Sequence, residues 1–360
     1  MNPIMKWTAA TLAGGLLVAG VCLAQEAKDK KRLSDDELVA ALGKHMDELV
    51  KADKFSGVVL LARDGKPLFR QAYGMADRGL GVANNPETKF NIGSIGKLFT
   101  RVAIEQLAEQ GKLALDDTLA KHLPDYPNPE VAAKITIRQL LEFKSGLGDI
   151  FTPEFRDAAK DRFRSPRDWF AVFAHHPLQF EPGTSQKYSN AGYVVLGAIV
   201  EAVSGKSYDD YVREHIFQPA GMTGTGAFDL DDPVANRAVG YTRRNPRGPA
   251  SDGGRRSNLF LTAFKGSPAG GGYSTVDDML RLDAALRSGL FYKDGRKIVG
   301  IGAAGGTAGC NALLEQIDEH HTLIVLANYD PPVAEKLGET VRGWMGISED
   351  GEGVVVRRRP

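Results

Sequence analysis

The sequence predicts an α+β fold of the following kind: an antiparallel sheet built from both ends of the chain, flanked by terminal helices, with a mostly helical region inserted between the two halves of the sheet. Three observations carry this expectation. Two strand-like runs, residues 57–62 and 67–73, bracket the turn residues Arg63, Asp64 and Gly65 near the start of the chain. Three more, near 297–300, 311–317 and 322–328, precede a helical pattern at about 332–344 near its end. Between them, over roughly 84–288, apolar residues recur mostly at helical spacing.

The elements follow in order. Residues 1–24 contain one lysine, an apolar run from Thr8 to Val21, and then Cys22, Leu23 and Ala24, which reads as a secretory signal cut after Ala24 and places the protein in the periplasm or outside the cell. A retained membrane anchor is the alternative, disfavoured because the run is short for a bilayer span. Lipid attachment at Cys22 is disfavoured by the bulk of Val21. Residues 25–33 form a charged connector, and 34–346 form the folded domain, with 347–360 as a tail. Ser34 opens a helix whose Asp35, Asp36 and Glu37 suit its positive end, and whose Leu38, Leu42, His45, Met46 and Leu49 share one face. The hairpin follows, then helices expected at 95–110, 137–143, 166–174, 191–203, 208–217 and 276–288.

Composition narrows the function. In 360 residues, Lys plus Arg and Asp plus Glu both number 45, so no net field favours nucleic acid or an anionic membrane. This balance points to a small-molecule or peptide substrate; no membrane role is expected beyond the signal peptide, and nothing in the sequence specifies an oligomeric state. Cys22 leaves with the signal, so Cys310 has no partner for an internal disulfide and reads as a small buried residue on a strand. The pairs His175, His176 and His320, His321 lack any accompanying zinc-ligand pattern and read as solvated. Neither a metal nor another cofactor is expected, because the chain also lacks a glycine-rich phosphate loop, and no Gly-x-Ser-x-Gly elbow is present to support a Ser-His-Asp hydrolase.

Three segments carry chemistry. In Phe90-Asn-Ile-Gly-Ser94-Ile-Gly-Lys97, Ser94 stands at the start of a helix with Lys97 three residues on, so both side chains share a face. The helix N-terminus lowers the cost of negative charge beside Ser94. A lysine is a base only when unprotonated, a state that burial favours, and Phe90, Leu98 and Phe99 are the expected source of that burial. An isolated Ser-x-x-Lys reads more simply as a capping serine and a solvated lysine, but this is the single such match in the chain. Tyr188-Ser189-Asn190 opens an apolar helix; Tyr188 is placed to pass a proton and Asn190 to hold a substrate amide, the plainer reading being a helix cap. A second Tyr-x-Asn, Tyr126 and Asn128, is read as a turn because Pro127 and Pro129 interrupt it. The segment 302–309, rich in glycine and alanine between two strand patterns, reads either as a strand edge that lets substrate approach the backbone or as a flexible hairpin loop.

Together with FNIGSIGKLFT, ITIRQLLEFKSGLGD, FEPGTSQKYSNAGYVVLGAIVEAVSGKSY, IFQPAGMTGT, GGGYSTVDDMLRL and LIVLANYD, these segments resemble the serine β-lactamase and penicillin-binding-protein family, in its class C-like branch of β-lactamases, D-amino-acid peptidases and esterases. The resemblance covers nearly the whole chain after the leader. It implies a cleft between helical region and sheet, and an acyl-enzyme reaction with Ser94 acylated, Lys97 as base and Tyr188 assisting proton transfer. It also implies Asn190, Gly305 and Gly306 as substrate-binding residues, with the oxyanion between the Ser94 and Gly306 amides.

Three departures follow from the same comparison. The family's third motif begins with Lys or His, whereas Ala303, Ala304 and Gly305 match it here, and the alternative register puts Ile301 there. Loss of this polar side chain weakens β-lactam and D-alanyl peptide assignments and favours neutral esters or amides. The stretch 290–299 is shorter than in relatives, so a strand or cleft wall is expected to be missing. Phe143 and Lys144 stand where the family often has His and Thr, a change read as structural and outside the catalytic groups. Intact Ser94, Lys97, Tyr188 and Asn190 favour an enzyme; Ala303 and the short stretch favour the alternative, an inactive relative that binds cell-wall peptide or a protein partner through the same cleft.

Overall fold

The computed structural model describes residues 32–244, 254–347 and 354–356. The leader at 1–24 and most of the connector after it lie outside these residues. Among the described residues no helix is long and apolar enough to cross a membrane.

Helix α1, Asp35–Lys51, begins with a capping box between Ser34 and Glu37 and buries Leu38, Leu42 and Met46. Strands β1, Gly57–Arg63, and β2, Lys66–Tyr73, form the expected hairpin. Its two turn residues, Asp64 and Gly65, both have positive φ, as the tight turns of two-residue hairpins require. Helices α2, Lys97–Glu109, α3, Asn190–Ser204, and α4, Val276–Ser288, dominate the inserted region. The chain then returns as β3, Ile301–Thr307, β4, Cys310–Gln316, and β5, His321–Ala327, followed by α5, Val333–Trp344, and a short strand β6, Val354–Val356.

These strands form one sheet in the order β6-β3-β4-β5-β1-β2. Strand β1 pairs antiparallel with β5 from Gly57 opposite Ala327 to Arg63 opposite His321, so the two ends of the chain meet at the centre of the sheet. Residues 58–62 are apolar without alternation because both faces of β1 are covered. Val58, Leu60 and Ala62 pack on the inserted region, and Val59 and Leu61 pack with Leu42, Met46, Leu337 and Val341 of the terminal helices. Helix α3 is buried nearly all round, the pattern of a helix at the middle of a core rather than on its surface.

Several local expectations are corrected. The strand expected at 297–300 starts at Ile301, and the glycine-rich segment 302–309 is itself β3 with its turn into β4. Glycine and alanine have poor strand propensity, but register with β4 and the need for a close backbone approach override it. Between α4 and β3 the chain makes only turns, bends and irregular stretches. Pro166–Val172 is a 3-10 rather than an α-helix, and the helix from Tyr208 ends at Val212 and continues as a π turn over Arg213–Phe217. Asn128 caps the short helix Pro129–Lys134. His321, read as solvated, is buried at the end of β5 between Asp318 and Asp35, whereas His175, His176 and His320 are exposed.

Asp117 gives the helical region an acid-sensitive tie. Its carboxylate accepts from the Ala114 amide at 2.8 Å, Lys121 at 2.7 Å and the His122 ring at 2.8 Å. The Ala114 bond first, then those from Lys121 and His122, hold its pKa well below the ordinary 3.8. A carboxylate depressed in the folded state stabilises at all pH values above the unfolded pKa and loses that contribution as pH falls through the folded one. Urea unfolding of wild type and Asp117→Asn is therefore expected to show a stability gap at neutral pH that shrinks steadily below about pH 4. A pH-independent gap would contradict this.

Candidate active site

Ser94 sits in a 3-10 turn, Gly93–Gly96, that runs directly into α2, so the serine precedes the α-helix by a turn instead of opening it. Lys97 is the first α-helical residue and is only 2% exposed. Its Nζ donates to the carbonyl of Ala269 at 2.5 Å and to Asn190 Oδ1 at 2.7 Å, and lies 3.2 Å from Ser94 Oγ. The rings over the amine are Tyr188, at 4.8 Å, and Tyr193, at 5.5 Å; of the expected cover, Phe90 and Phe99 are buried and Leu98 is partly buried in the same core. Tyr188 brings its hydroxyl to 2.7 Å from Ser94 Oγ although 94 residues separate the two in the chain. Ser94, Lys97, Tyr188 and Asn190 thus converge on one point.

Each member is held from a different element. Ser189 caps α3 by accepting from the Gly192 amide at 3.0 Å and donates to the Gly148 carbonyl at 2.7 Å, while its two neighbours, Tyr188 and Asn190, reach Ser94 and Lys97. On the opposite side, α2 grips the segment around Gly270 through two carbonyls: Lys97 takes that of Ala269 and Thr100 that of Pro268, at 2.6 Å. Gly270 has φ +132°, and a Cβ there would stand 2.2 Å from the Gly93 carbonyl oxygen, so only glycine lets this segment lie on the Ser94 turn.

The third segment arrives through β3. A Cβ on Gly305 would stand 2.2 Å from the Ile92 carbonyl oxygen and 2.5 Å from the Ser94 amide nitrogen, and one on Gly93 would stand 2.8 Å from the Gly306 amide nitrogen. The edge of the sheet is thereby pressed against the Ser94 turn, with Ser94 and Gly306 lining the same cleft. Ala303 is buried in the core.

The cleft at Ser94 is small, about 80 Å³, and its walls include Ile150, Phe151, Trp169 and Leu261. Phe151 is 52% exposed at its mouth. Among the described residues, Lys265 is the one charged side chain that lines it, and it is bridged to Asp209 at 2.6 Å. A larger cavity of about 500 Å³ lies beyond Trp169, Lys265 and Ser267, which line both spaces. The chemistry belongs to the smaller space, because Ser94 opens into it. Among the described residues no group of three or more His, Cys, Asp or Glu side chains is placed to hold a metal. Cys310 is buried on β4 with its sulfur 3.0 Å from the Asn91 carbonyl oxygen, and burial pushes its thiol up to about 12.

A model of the family described as Beta-lactamase matches residues 42–304, nearly three quarters of the sequence. The chain belongs to the beta-lactamase family. This family of serine hydrolases takes in penicillin-binding proteins, esterases and D-amino-acid amidases. The chain is 30% identical over 270 residues to the putative penicillin-binding protein PbpX of Bacillus subtilis, an alignment covering 74% of this chain and 64% of that protein. It therefore spans somewhat less than two thirds of that relative's length. Among solved structures, a penicillin-binding protein from Bacillus halodurans superposes with a TM-score of 0.71 at 28% identity, over 82% of this chain and 98% of the other. EstCE1, a hydrolase with promiscuous acyltransferase activity, superposes at 0.69 with 21% identity, over 87% and 99%. The mixed fold of helices and antiparallel sheet expected from the sequence is the fold of these beta-lactamase-like structures.

Three contributors escaped the sequence reading. Phe143, taken as lying outside the catalytic groups, stacks on the Tyr188 ring at 5.0 Å and on Tyr193 at 5.3 Å. It does so with φ +58°, a strained conformation for a bulky residue and a signal legible only in three dimensions. The Ala269 carbonyl is main chain and leaves no mark on residue type. Asp149, at the end of the KSGLGD phrase, accepts from Asn190 Nδ2 with both carboxylate oxygens at 3.0 Å. Nothing in a separation of 41 residues announces that contact.

Proposed function

We propose that this beta-lactamase-family chain is an exported serine hydrolase that cleaves a neutral ester or amide through an acyl-enzyme formed on Ser94. The observation that carries the reading is the hydroxyl of Ser94 lying within hydrogen-bonding distance of both a buried amine, Lys97, and a phenol, Tyr188, at the floor of a cleft. Burial disfavours a charged lysine, which makes Lys97 the base. Ser94 Oγ bonds to the substrate carbonyl carbon as its proton passes to Lys97. The negative charge on the carbonyl oxygen is met by the Ser94 and Gly306 amides. The bond to the leaving group then breaks, the leaving oxygen or nitrogen takes a proton from Tyr188, and Tyr188 regains one from Lys97. Water repeats the sequence on the acyl carbon and frees Ser94. Export is proposed from the character of residues 1–24.

Substrate charge is argued from the walls. A substrate carboxylate needs an available cation, yet the one lining cation among the described residues is committed to Asp209, and the third motif offers alanine at 303. The acyl side meets Ile150, Phe151, Trp169 and Leu261. Mature protein assayed on a p-nitrophenyl ester of a short fatty acid, and on nitrocefin, is expected to turn over the ester at least about tenfold more efficiently in kcat/KM, a difference of 1.4 kcal/mol. Preference for nitrocefin would overturn the assignment of substrate charge. No turnover of either, with no adduct at Ser94, would replace the hydrolase by the alternative of a cleft that only binds.

A further inference from the structure

We propose that Asp149 is a positioning residue for the lysine base: it locks the Asn190 amide with its oxygen toward Lys97, and so leaves the lysine lone pair for Ser94. The inference rests on the hydrolase reading above and extends it to a residue that touches none of the reacting atoms.

The argument is an account of donors and acceptors. A neutral amine has two N–H groups and one lone pair. Around Lys97 Nζ two acceptors face inward, the Ala269 carbonyl at 2.5 Å and Asn190 Oδ1 at 2.7 Å, and they take both N–H groups. What is left points at Ser94 Oγ, 3.2 Å away, and is the lone pair that must receive its proton. The carboxamide of Asn190 is nearly symmetric in shape and fits its slot equally well with nitrogen and oxygen exchanged. In the exchanged state its NH₂ would face Lys97, donate to the lone pair of the neutral amine and repel the ammonium. The base would be neutral and occupied.

Asp149 removes that choice. An ionised carboxylate is an acceptor only, and both its oxygens stand 3.0 Å from Asn190 Nδ2, so the nitrogen is fixed on the side away from Lys97. Asn190 is 3% exposed, which leaves little water to serve as a substitute acceptor. Asp149 is itself anchored by the amides of Ile150, at 2.7 Å, and Phe151, at 3.2 Å, and its loop is tied to the start of α3 by the bond from Ser189 to the Gly148 carbonyl. Among the described residues, the ionisable groups around Lys97 include Tyr188 and Tyr193, whose rings it faces, and Asp149 one amide behind.

The test is the rate at which Ser94 Oγ displaces fluoride from a fluorophosphonate to form a phosphonyl ester, across neutral to alkaline pH, in wild type, Asp149→Ala and Asp149→Asn. Asp149→Ala is expected to lower the plateau rate by about tenfold or more, the scale of a buried charge-assisted hydrogen bond. Its rising limb is expected to move to lower pH, because the lost anion and the lost amide oxygen both favoured charged Lys97. Asp149→Asn, which keeps an oxygen able to accept from Asn190, is expected to regain part of the plateau. If Asp149 merely braced its loop, removing it would let water reach Lys97 and the limb would move to higher pH; that result, or an unchanged plateau, overturns the proposal. Hydrogen exchange of the Asn190 side-chain amide, read by NMR, separates the two readings. Strong protection in wild type that is lost in Asp149→Ala supports the lock even in a protein that never acylates, and equal exchange in both counts against it.

Discussion

Replacing Lys97 by methionine, a residue of similar length without an N–H, is expected to slow covalent labelling of Ser94 by a fluorophosphonate about a thousandfold, and Ser94→Ala is expected to abolish the adduct. A thousandfold corresponds to about 4 kcal/mol of transition-state stabilisation, within what a positioned proton acceptor supplies. The size follows from the neighbour that remains: besides Lys97, the described side chain within hydrogen-bonding distance of Ser94 Oγ is Tyr188, and a phenol is a poor base at neutral pH unless an amine draws off its proton. Intact-mass spectrometry of timed reactions, with the adduct located by peptide mapping, measures this directly. Circular dichroism melts of each variant show whether the fold persists. Lys97→Met labelled as fast as wild type would remove lysine from the mechanism, and an adduct that survives in Ser94→Ala would remove the serine.

Gly305→Ala is expected to damage the reaction far beyond what a single added methyl group would do at an open position. A Cβ at this position meets the Ile92 carbonyl oxygen and the Ser94 amide nitrogen, both backbone atoms of the nucleophile turn, and neither can rotate away. Strand β3 must therefore back off from the turn. Overpacking of this kind costs about 1–3 kcal/mol of stability. The larger effect falls on chemistry, since the Ser94 and Gly306 amides sit on the two surfaces being driven apart, and a displacement of about 1 Å costs roughly a hundredfold in rate. Gly302→Ala on the same strand is the control, because nothing lies within 4 Å of a Cβ there. Urea unfolding and acylation rates are expected to be near wild type for Gly302→Ala and depressed for Gly305→Ala. Equal behaviour of the two variants would mean that β3 takes no part in the reaction.

Local and distant features of the site differ in how they can be read from the chain. Ser94 and Lys97 are three residues apart, and the periodicity of one helical segment suffices to put them on a common face. Ser189 before an apolar run marks a helix start by the chemistry of its own hydroxyl. The runs at 57–62 and 322–328 are strands buried on both faces, visible because an unbroken apolar segment of that length has few other uses. The glycine-rich segment 302–309 was ambiguous for the opposite reason: alanine and glycine carry almost no side-chain signal, and its strand exists because β4 offers a ladder and the Ser94 turn forbids anything larger.

By itself, then, the sequence determined the strand and helix runs behind the α+β plan and the Ser94–Lys97 and Tyr188–Asn190 elements, since each rests on residue types and spacings within one segment. Only the tertiary structure decided that Tyr188 reaches Ser94, that Phe143 stacks behind it, that Asp149 and the Ala269 carbonyl hold the partners of Lys97, and that Lys265 is committed to Asp209. Those contacts join segments dozens to more than a hundred residues apart, and they are set by how the whole core packs around α3, a sum over many side chains that no local pattern contains.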